Sequence, residues 1–277
     1  MQSEFSLRDR VVVITGGSRG IGEAIGLRLA REGAKIALWA KTVEPDPRLP
    51  GTMQSAAEAM RSAGAAEVLI AAVDLRFDAQ VDAALEKVLE HFGGIDVLVN
   101  NASAISLSST LDTPMKRFDL MFGVNVRATY LCSKSCLPAL LRSDNPHILN
   151  LAPPLNLAPH HFAPHLAYTL SKYGMSMCTL GLAEEFRSAG VAVNALWPKT
   201  TIATAALRNV PGGDQLLRHS RKPEIVAEAA YRILRQNSRQ CSGNFFLDEE
   251  VLRSAGVEDF DAYAVETGKP LQPDLFL

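Results

Sequence analysis

The sequence predicts an α/β fold: one doubly wound domain with a mostly parallel, seven-stranded sheet and helices on both faces. Three observations predict it. Short apolar runs alternate along the chain with stretches of helical periodicity, the pattern of strands buried on both faces and joined by crossover helices. The first run passes directly into a glycine-rich turn and a helix, as in a Rossmann unit. No repeat or low-complexity tract divides the 277 residues, whose 47% hydrophobic content suffices for one large core. Residues 1–277 are therefore assigned to a single domain, with its core over about 8–250 and a tail over 251–277.

The β-branched run 11–14 ends at Thr15 and leads into Gly16-Gly17-Ser18-Arg19-Gly20-Ile21-Gly22. Ala24, Ile25, Leu27, Leu29 and Ala30 follow at helical spacing over 23–31. Glycines in such a turn let the backbone approach a pyrophosphate, which sits on the unpaired N–H groups and positive end of the helix. The spacing is G-x-x-x-G-x-G rather than G-x-G-x-x-G.

A second strand, 34–39, ends at Ala40-Lys41-Thr42, where an acidic residue would hold the ribose 2′-hydroxyl of NAD. No acid occurs before Glu44, whereas Lys41 and Arg19 can pair with a 2′-phosphate, so the expected cofactor is NADP rather than NAD. Residues 42–51 carry prolines 45, 47 and 50 and read as a surface loop.

Helix 53–63, strand 67–73, helix 79–92 and strand 95–99 follow. Asp74 and Asn101 then stand at strand C-terminal ends, the ligand edge of an open parallel sheet, although either could equally cap a turn. Residues 114–141 read as one long helix with Asn125 in its middle; an inward-facing asparagine there has a hydrogen-bonding task. Strand 147–151, a loop rich in proline and histidine, helix 166–186, strand 191–196, helix 224–235 and strand 244–247 complete the series.

Tyr168 and Lys172 lie four residues apart in the helix 166–186 and so share one face. An ammonium beside a phenol favours the phenolate and moves its pKa toward the range needed for general acid–base work. The same spacing also recurs on solvated helix faces, so the pair acquires meaning only with its surroundings.

The charges nearly cancel, 28 basic against 30 acidic residues, and no basic run marks a nucleic-acid or anionic-membrane surface. No apolar stretch reaches the ~18 residues of a membrane span, and the N-terminus lacks a secretory h-region, so a cytoplasmic protein is expected. Cys132, Cys136, Cys178 and Cys241 are too scattered for a disulfide framework or a zinc site and are expected as reduced core thiols.

The strand–TGGSRGIG–helix unit, NNAS after the fourth strand, Asn125, Tyr168-x-x-x-Lys172 and NALWPKT after the sixth strand together resemble the short-chain dehydrogenase/reductase family over about residues 8–250. The resemblance implies that Gly16, Ser18, Arg19, Gly20, Ile21 and Gly22 cradle the cofactor phosphates and that Lys41 meets the 2′-phosphate. By the same resemblance Asp74 reaches the adenine, Asn101 the adenine ribose, Lys172 the nicotinamide ribose and Thr200 the carboxamide or diphosphate. It further implies that Tyr168 exchanges the proton, that Lys172 lowers its pKa, and that Asn125 holds a water linking the lysine to solvent. The helices 114–141 and 166–186 carry an apolar surplus that includes Leu131, Leu137, Met175, Met177 and Leu180, and the resemblance implies a two-fold four-helix contact there between copies, giving a homodimer or homotetramer.

Two departures stand out. Ala152 and Pro153 occupy the positions where the family has a serine that donates to the substrate oxygen; loss of one such donor costs roughly 10²–10³ in rate. Asn156, His160, His161 or His165 could replace it, or be polar surface only. Lys199 stands where glycine is common and, if turned inward, would favour an acidic or acyl-thioester substrate. The reading is an NADP-dependent oxidoreductase interconverting a hydroxyl and a carbonyl on a small, fairly apolar (lipid-, steroid- or isoprenoid-like) substrate. The alternative is an impaired NADP(H)-binding sensor or interaction module.

Overall fold

The computed structural model describes residues 5–41, 43–44, 51–210 and 212–277. The proline-bearing loop expected over 42–51 falls almost wholly outside the described residues. Seven strands form one sheet: β1 (Val11–Thr15), β2 (Lys35–Ala40), β3 (Glu67–Ala72), β4 (Val97–Asn100), β5 (His147–Asn150), β6 (Ala192–Trp197) and β7 (Phe245–Leu247). Their order is β3-β2-β1-β4-β5-β6-β7, and every neighbouring pair is parallel. The order reverses between β1 and β4, which opens a crevice at their C-terminal ends.

Sequence explains the burial. Every residue of β1, β4, β5 and β6 is buried, because helices cover both faces. The helices are α1 (Gly20–Ala30), α2 (Met53–Ala63), α3 (Asp78–Phe92), α4 (Met115–Met121), α5 (Ala128–Leu140), α6 (Leu166–Glu185), α7 (Ala205–Arg208), α8 (Gly213–Arg218), α9 (Glu224–Leu234) and α10 (Asp248–Ser254). On one face Ile25 and Leu29 of α1 pack with Met60 of α2 and with Ile225 and Ile233 of α9. On the other, Val81 and Val88 of α3 pack with Leu131 and Cys136 of α5 and Leu182 of α6. Each such fully buried aliphatic side chain contributes about 1.5–3 kcal/mol. Cys132, Cys136 and Cys241 are buried and Cys178 half-buried, all as free thiols. Burial pushes the Cys132 thiol up to about 12, so it packs rather than reacts.

The helix expected over 114–141 is not continuous. Six residues, Phe122–Arg127, take π-helical geometry between α4 and α5. The extra residue in that turn rotates Asn125 out of the helical ladder and into the interior, where it is fully buried. Opposite it, Gly174 lets α6 approach closely: a Cβ at that position would stand 2.6 Å from Val126 Cγ2.

A ladder of buried amides sets α6 against the sheet. Asn100 Nδ2 donates to Asn150 Oδ1 (2.8 Å) and Ser133 Oγ (3.1 Å), and Asn150 Nδ2 donates to Thr179 Oγ1 (2.9 Å). Because every member is partnered, the ladder orients β4, β5, α5 and α6 without an unsatisfied polar group. Among the described residues, no helix is long and apolar enough to cross a membrane.

Candidate active site

Three segments meet at the C-terminal edge of the sheet: the turn after β1, the loop after β4 and the start of α6. Thr15 Oγ1 donates to Val99 O (3.2 Å) and accepts from the Asn101 and Ala102 backbone N–H groups (3.0 and 3.1 Å), which locks the ends of β1 and β4 together. The Asn101 amide donates to Thr15 O (3.0 Å) and Gly16 O (3.1 Å) and so holds the glycine turn in place. Gly16 takes φ +66°, and a Cβ there would stand 2.9 Å from Ala102 Cα, so only glycine fits.

Gly20, Ile21 and Gly22 open α1, and Arg19 at its N-cap makes no side-chain capping bond. Its first N–H groups therefore keep their capacity for an anion. Ser18 is buried beside them. Two buried side-chain groups in the flanking loops, Arg19 Nε and Thr200 Oγ1, have no partner among the described residues. The loop after β6 closes on the turn, since a Cβ at Gly20 would meet Thr204 Cγ2 at 3.3 Å. An uncapped helix start, a glycine turn and orphaned donors on both sides fit the diphosphate of a nicotinamide dinucleotide.

At the outer end of the crevice the charges are already engaged. Asp74 accepts two bonds from the Arg76 guanidinium (2.9 and 2.6 Å), and Lys41 Nζ stands 3.3 Å from its Oδ2. The Arg76 bonds foremost, against the opposing effect of burial, hold the Asp74 carboxyl well below the usual carboxylate range. Arg76 was not foreseen in the sequence; an arginine two residues beyond the strand-end aspartate was the signal. Its guanidinium and the Lys41 ammonium both engage the Asp74 carboxylate.

Tyr168 and Lys172 sit one turn apart on α6, both buried. Lys172 Nζ donates to Leu151 O (2.6 Å), lies 3.2 Å from Met175 Sδ, and stands 5.0 Å over the Trp197 ring. Burial pulls its ammonium down to about 7. The Tyr168 phenol is raised, first by burial and then by Asp274, with the Ser103 hydroxyl opposing. The ammonium is directed to Leu151 O, and burial is the first cause of the shift at both groups.

Asn125 accepts from Ala104 N (2.7 Å) and donates to Ala104 O (2.9 Å) and to Ser171 Oγ (2.9 Å). Its side chain therefore fastens the loop after β4 to α6, three residues from Tyr168. Ala152 is buried against Met175, Ala195 and Phe245. Of the residues expected as replacements for the serine, Asn156 is engaged locally, accepting from Ala158 N (3.1 Å). His161 and His165 are buried and not surface. His165 reaches the site, its ring 6.0 Å from that of Tyr168, with Nδ1 3.1 Å from Thr169 Oγ1. Among the described residues no cluster of His, Cys, Asp or Glu is placed to hold a metal ion.

Lys199 is engaged in an ion pair. Its Nζ pairs with Glu249 (3.0 Å), which also binds Arg221 (2.6 Å) and Arg253 (3.0 Å). The tail, which carries no periodicity from which its placement could be read, returns over the site. Pro273 bridges Thr200, Trp197 Nε1 donates to Leu275 O (3.0 Å), and Phe276 stacks on Tyr168 with ring centroids 6.1 Å apart.

The family profile described as short chain dehydrogenase matches residues 10–213. The chain is 54% identical to hydroxysteroid dehydrogenase-like protein 2 of Danio rerio over 277 residues, all of this chain and 66% of that protein. It thus spans about two thirds of the length of that relative. A crystal structure of a protein from Xanthomonas campestris, described as a dehydrogenase, superposes with a TM-score of 0.95 at 52% identity and covers 99% of each chain. Further off, a metagenomic short-chain oxidoreductase in complex with NADP has a TM-score of 0.72 at 27% identity, covering 87% of this chain and 97% of its own. At 20% identity, a short chain dehydrogenase of Mycobacterium paratuberculosis bound to NAD shares the fold with a TM-score of 0.72 over the same shares.

Proposed function

Since the chain belongs to the short chain dehydrogenase family, we propose that it is an NADP-dependent oxidoreductase interconverting a hydroxyl and a carbonyl group on a fairly apolar substrate of lipid, steroid or isoprenoid kind. The observation that carries this reading is the burial of Tyr168 and Lys172 one helical turn apart at the edge where the glycine turn opens. When bound, the nicotinamide supplies or accepts the hydride. Tyr168 gives the carbonyl oxygen its proton in reduction and takes it back in oxidation. Lys172 places positive charge beneath the phenol, and Asn125 keeps the loop after β4 in register with α6. Met121, Tyr173, Trp197 and Phe276 surround Tyr168 and supply the apolar wall that supports the substrate class, as does the relative's hydroxysteroid dehydrogenase-like name.

A screen of carbonyls with NADPH and of alcohols with NADP, run beside a cofactor-binding titration, tests the reading. Turnover of an apolar ketone or alcohol is the expected result. Tight cofactor binding with no turnover anywhere would favour a binding module, a reading supported by the absence of a donor at Ala152 and Pro153.

NADP preference is assigned to Lys41, Arg19 and Arg76. Lys41 is exposed and, among the described residues, held by Asp74 at 3.3 Å, from which it can turn to a 2′-phosphate. A charge-assisted bond of that kind is worth on the order of 1.5–3 kcal/mol. Lys41→Ala is expected to weaken NADP binding about tenfold or more and to leave NAD nearly unchanged. Equal affinity of the unaltered protein for both cofactors, measured by fluorescence titration, would reject the assignment.

Self-association is proposed through α5 and α6, with a corrected surface. Leu131, Leu137 and Met175 are buried in the chain's own core, because they lie on the sheet-facing side of their helices. Met177 and Leu180 remain exposed, joined by Tyr130, Leu166 and Leu170. Leu166, Leu170 and Met177 form one stripe at helical spacing, suited to a two-fold contact. Light scattering at micromolar concentration is expected to give a dimer or tetramer, and Leu170→Glu a smaller species.

A further inference from the structure

The tail that returns over the site runs in register with the loop after β6. On either side of the antiparallel bridge between Thr200 and Pro273, Thr201 N donates to Gln272 O (2.9 Å) and Asp274 N to Lys199 O (3.2 Å). Thr200 and Pro273 thus form a pair whose own N–H positions point away from each other, a place in a ladder that a proline can take. One step further on, Trp197 Nε1 donates to Leu275 O (3.0 Å). Nearer the start of the tail, Lys222 N donates to Tyr263 O (2.7 Å) and Val265 N to Ser220 O (3.0 Å), so both ends of the segment between β6 and α9 are tied to it.

The ladder delivers the Phe276 ring. Its centroid lies 6.1 Å from that of Tyr168 with the planes 28° apart, 5.4 Å from Tyr173, 5.7 Å from Trp197 and 6.0 Å from His165. Phe276 adopts φ +75°, a backbone region that aromatic residues avoid, so these contacts and not local preference place the ring. Its neighbours are fixed by polar bonds as well: Tyr173 Oη donates to Asn156 O (2.6 Å), His165 Nδ1 lies 3.1 Å from Thr169 Oγ1, and Trp197 holds Leu275. Phe276 contributes only the shape of its ring. Tyr168 is 5% exposed and Phe276 3%, so little of the tyrosine is open to a substrate, and the tail ring covers its face.

We propose that Phe276 is the specificity-determining residue of the Tyr168 site, a size filter that admits carbonyls carrying a slender apolar chain and rejects those carrying fused rings. The filter works by volume alone. A chain can lie along the aromatic rings in a narrow gap, whereas a fused ring system needs the space that Phe276 fills. Alanine at this position frees that space, and no polar bond of the side chain is lost with the ring.

The inference rests on the reading of this site as one for apolar carbonyls, which it narrows, but its test needs no turnover. Two ketones with equal numbers of carbon atoms, the open-chain 2-decanone and the fused-ring 2-decalone, are titrated into the protein with NADP⁺, which has no hydride to give. Ligand-observed NMR follows the binding. The unaltered protein is expected to bind 2-decanone about tenfold or more tightly than 2-decalone, and Phe276→Ala to bring the two within about threefold of each other. A ring that served packing alone would weaken both ketones alike and leave the preference unchanged. That result overturns the inference, as does equal affinity in the unaltered protein or a failure of both ketones to bind. Should Phe276→Ala not fold, Phe276→Leu decides: a smaller preference than that of the unaltered protein is expected, and an unchanged one overturns the inference. The expected preference without turnover of either ketone by NADPH would count against the proposed function and leave this inference standing, whereas turnover with an unchanged preference would do the reverse.

Discussion

Tyr168→Phe is expected to lower kcat about 10²–10⁴-fold while the Kd for NADP stays within roughly twofold, because the deleted oxygen acts only where the proton moves. The ring remains, and with it the packing against His165 and Phe276. Single-turnover kinetics and a fluorescence titration of the two proteins separate these effects. Because burial raises the phenol, it is protonated throughout the neutral range. Carbonyl reduction should therefore hold its rate there, and alcohol oxidation should accelerate as pH rises. Near-unaltered turnover in Tyr168→Phe would show that another group supplies the proton, and His165 would be the first to replace.

Glu249→Gln is expected to destabilise the fold by about 3 kcal/mol or more, roughly 10 °C in Tm, because it leaves a buried guanidinium without its anion. The Glu249 and Arg221 side chains are only 8% and 6% exposed. Burial alone would raise the Glu249 carboxyl, but hydrogen bonds from Lys199, Arg221 and Arg253 hold it at about 2. A depressed carboxylate stabilises the folded state above its unfolded pKa, and that contribution is lost as pH falls through the folded value. The stability difference between the two proteins should thus be full above about 4.5 and shrink toward pH 2. Denaturant unfolding across that range measures it; a difference independent of pH would show that the charge plays no part. The same network fixes Lys199, and through its backbone the tail, so the variant should also loosen Phe276 over Tyr168.

The sequence by itself determined the strands, the crossover helices and the face shared by Tyr168 and Lys172, because these follow from local periodicity and chain connectivity. It also located the glycine turn and Asn101, since both stand at strand ends whose position the apolar runs define. What only the tertiary structure decided depends on contacts between residues distant in the chain. In the π turn Asn125 meets Ala104 and Ser171, partners that a helical pattern does not reveal. Ala152 illustrates the same point. Alignment along β5 puts Ala152 and Pro153 where the family has a serine, but only the structure shows Ala152 packed against Met175 and Ala195. Lys199 could face either way on the sequence, and Glu249, fifty residues later, fixes its ammonium. The tail is the largest case: Asp274 and Phe276 carry no spacing that ties them to residue 168, and contacts with Lys199, Thr200 and Trp197 bring them to it. Local preference selects the elements, but desolvation and partner choice act across the whole chain, and they set the charges at the site.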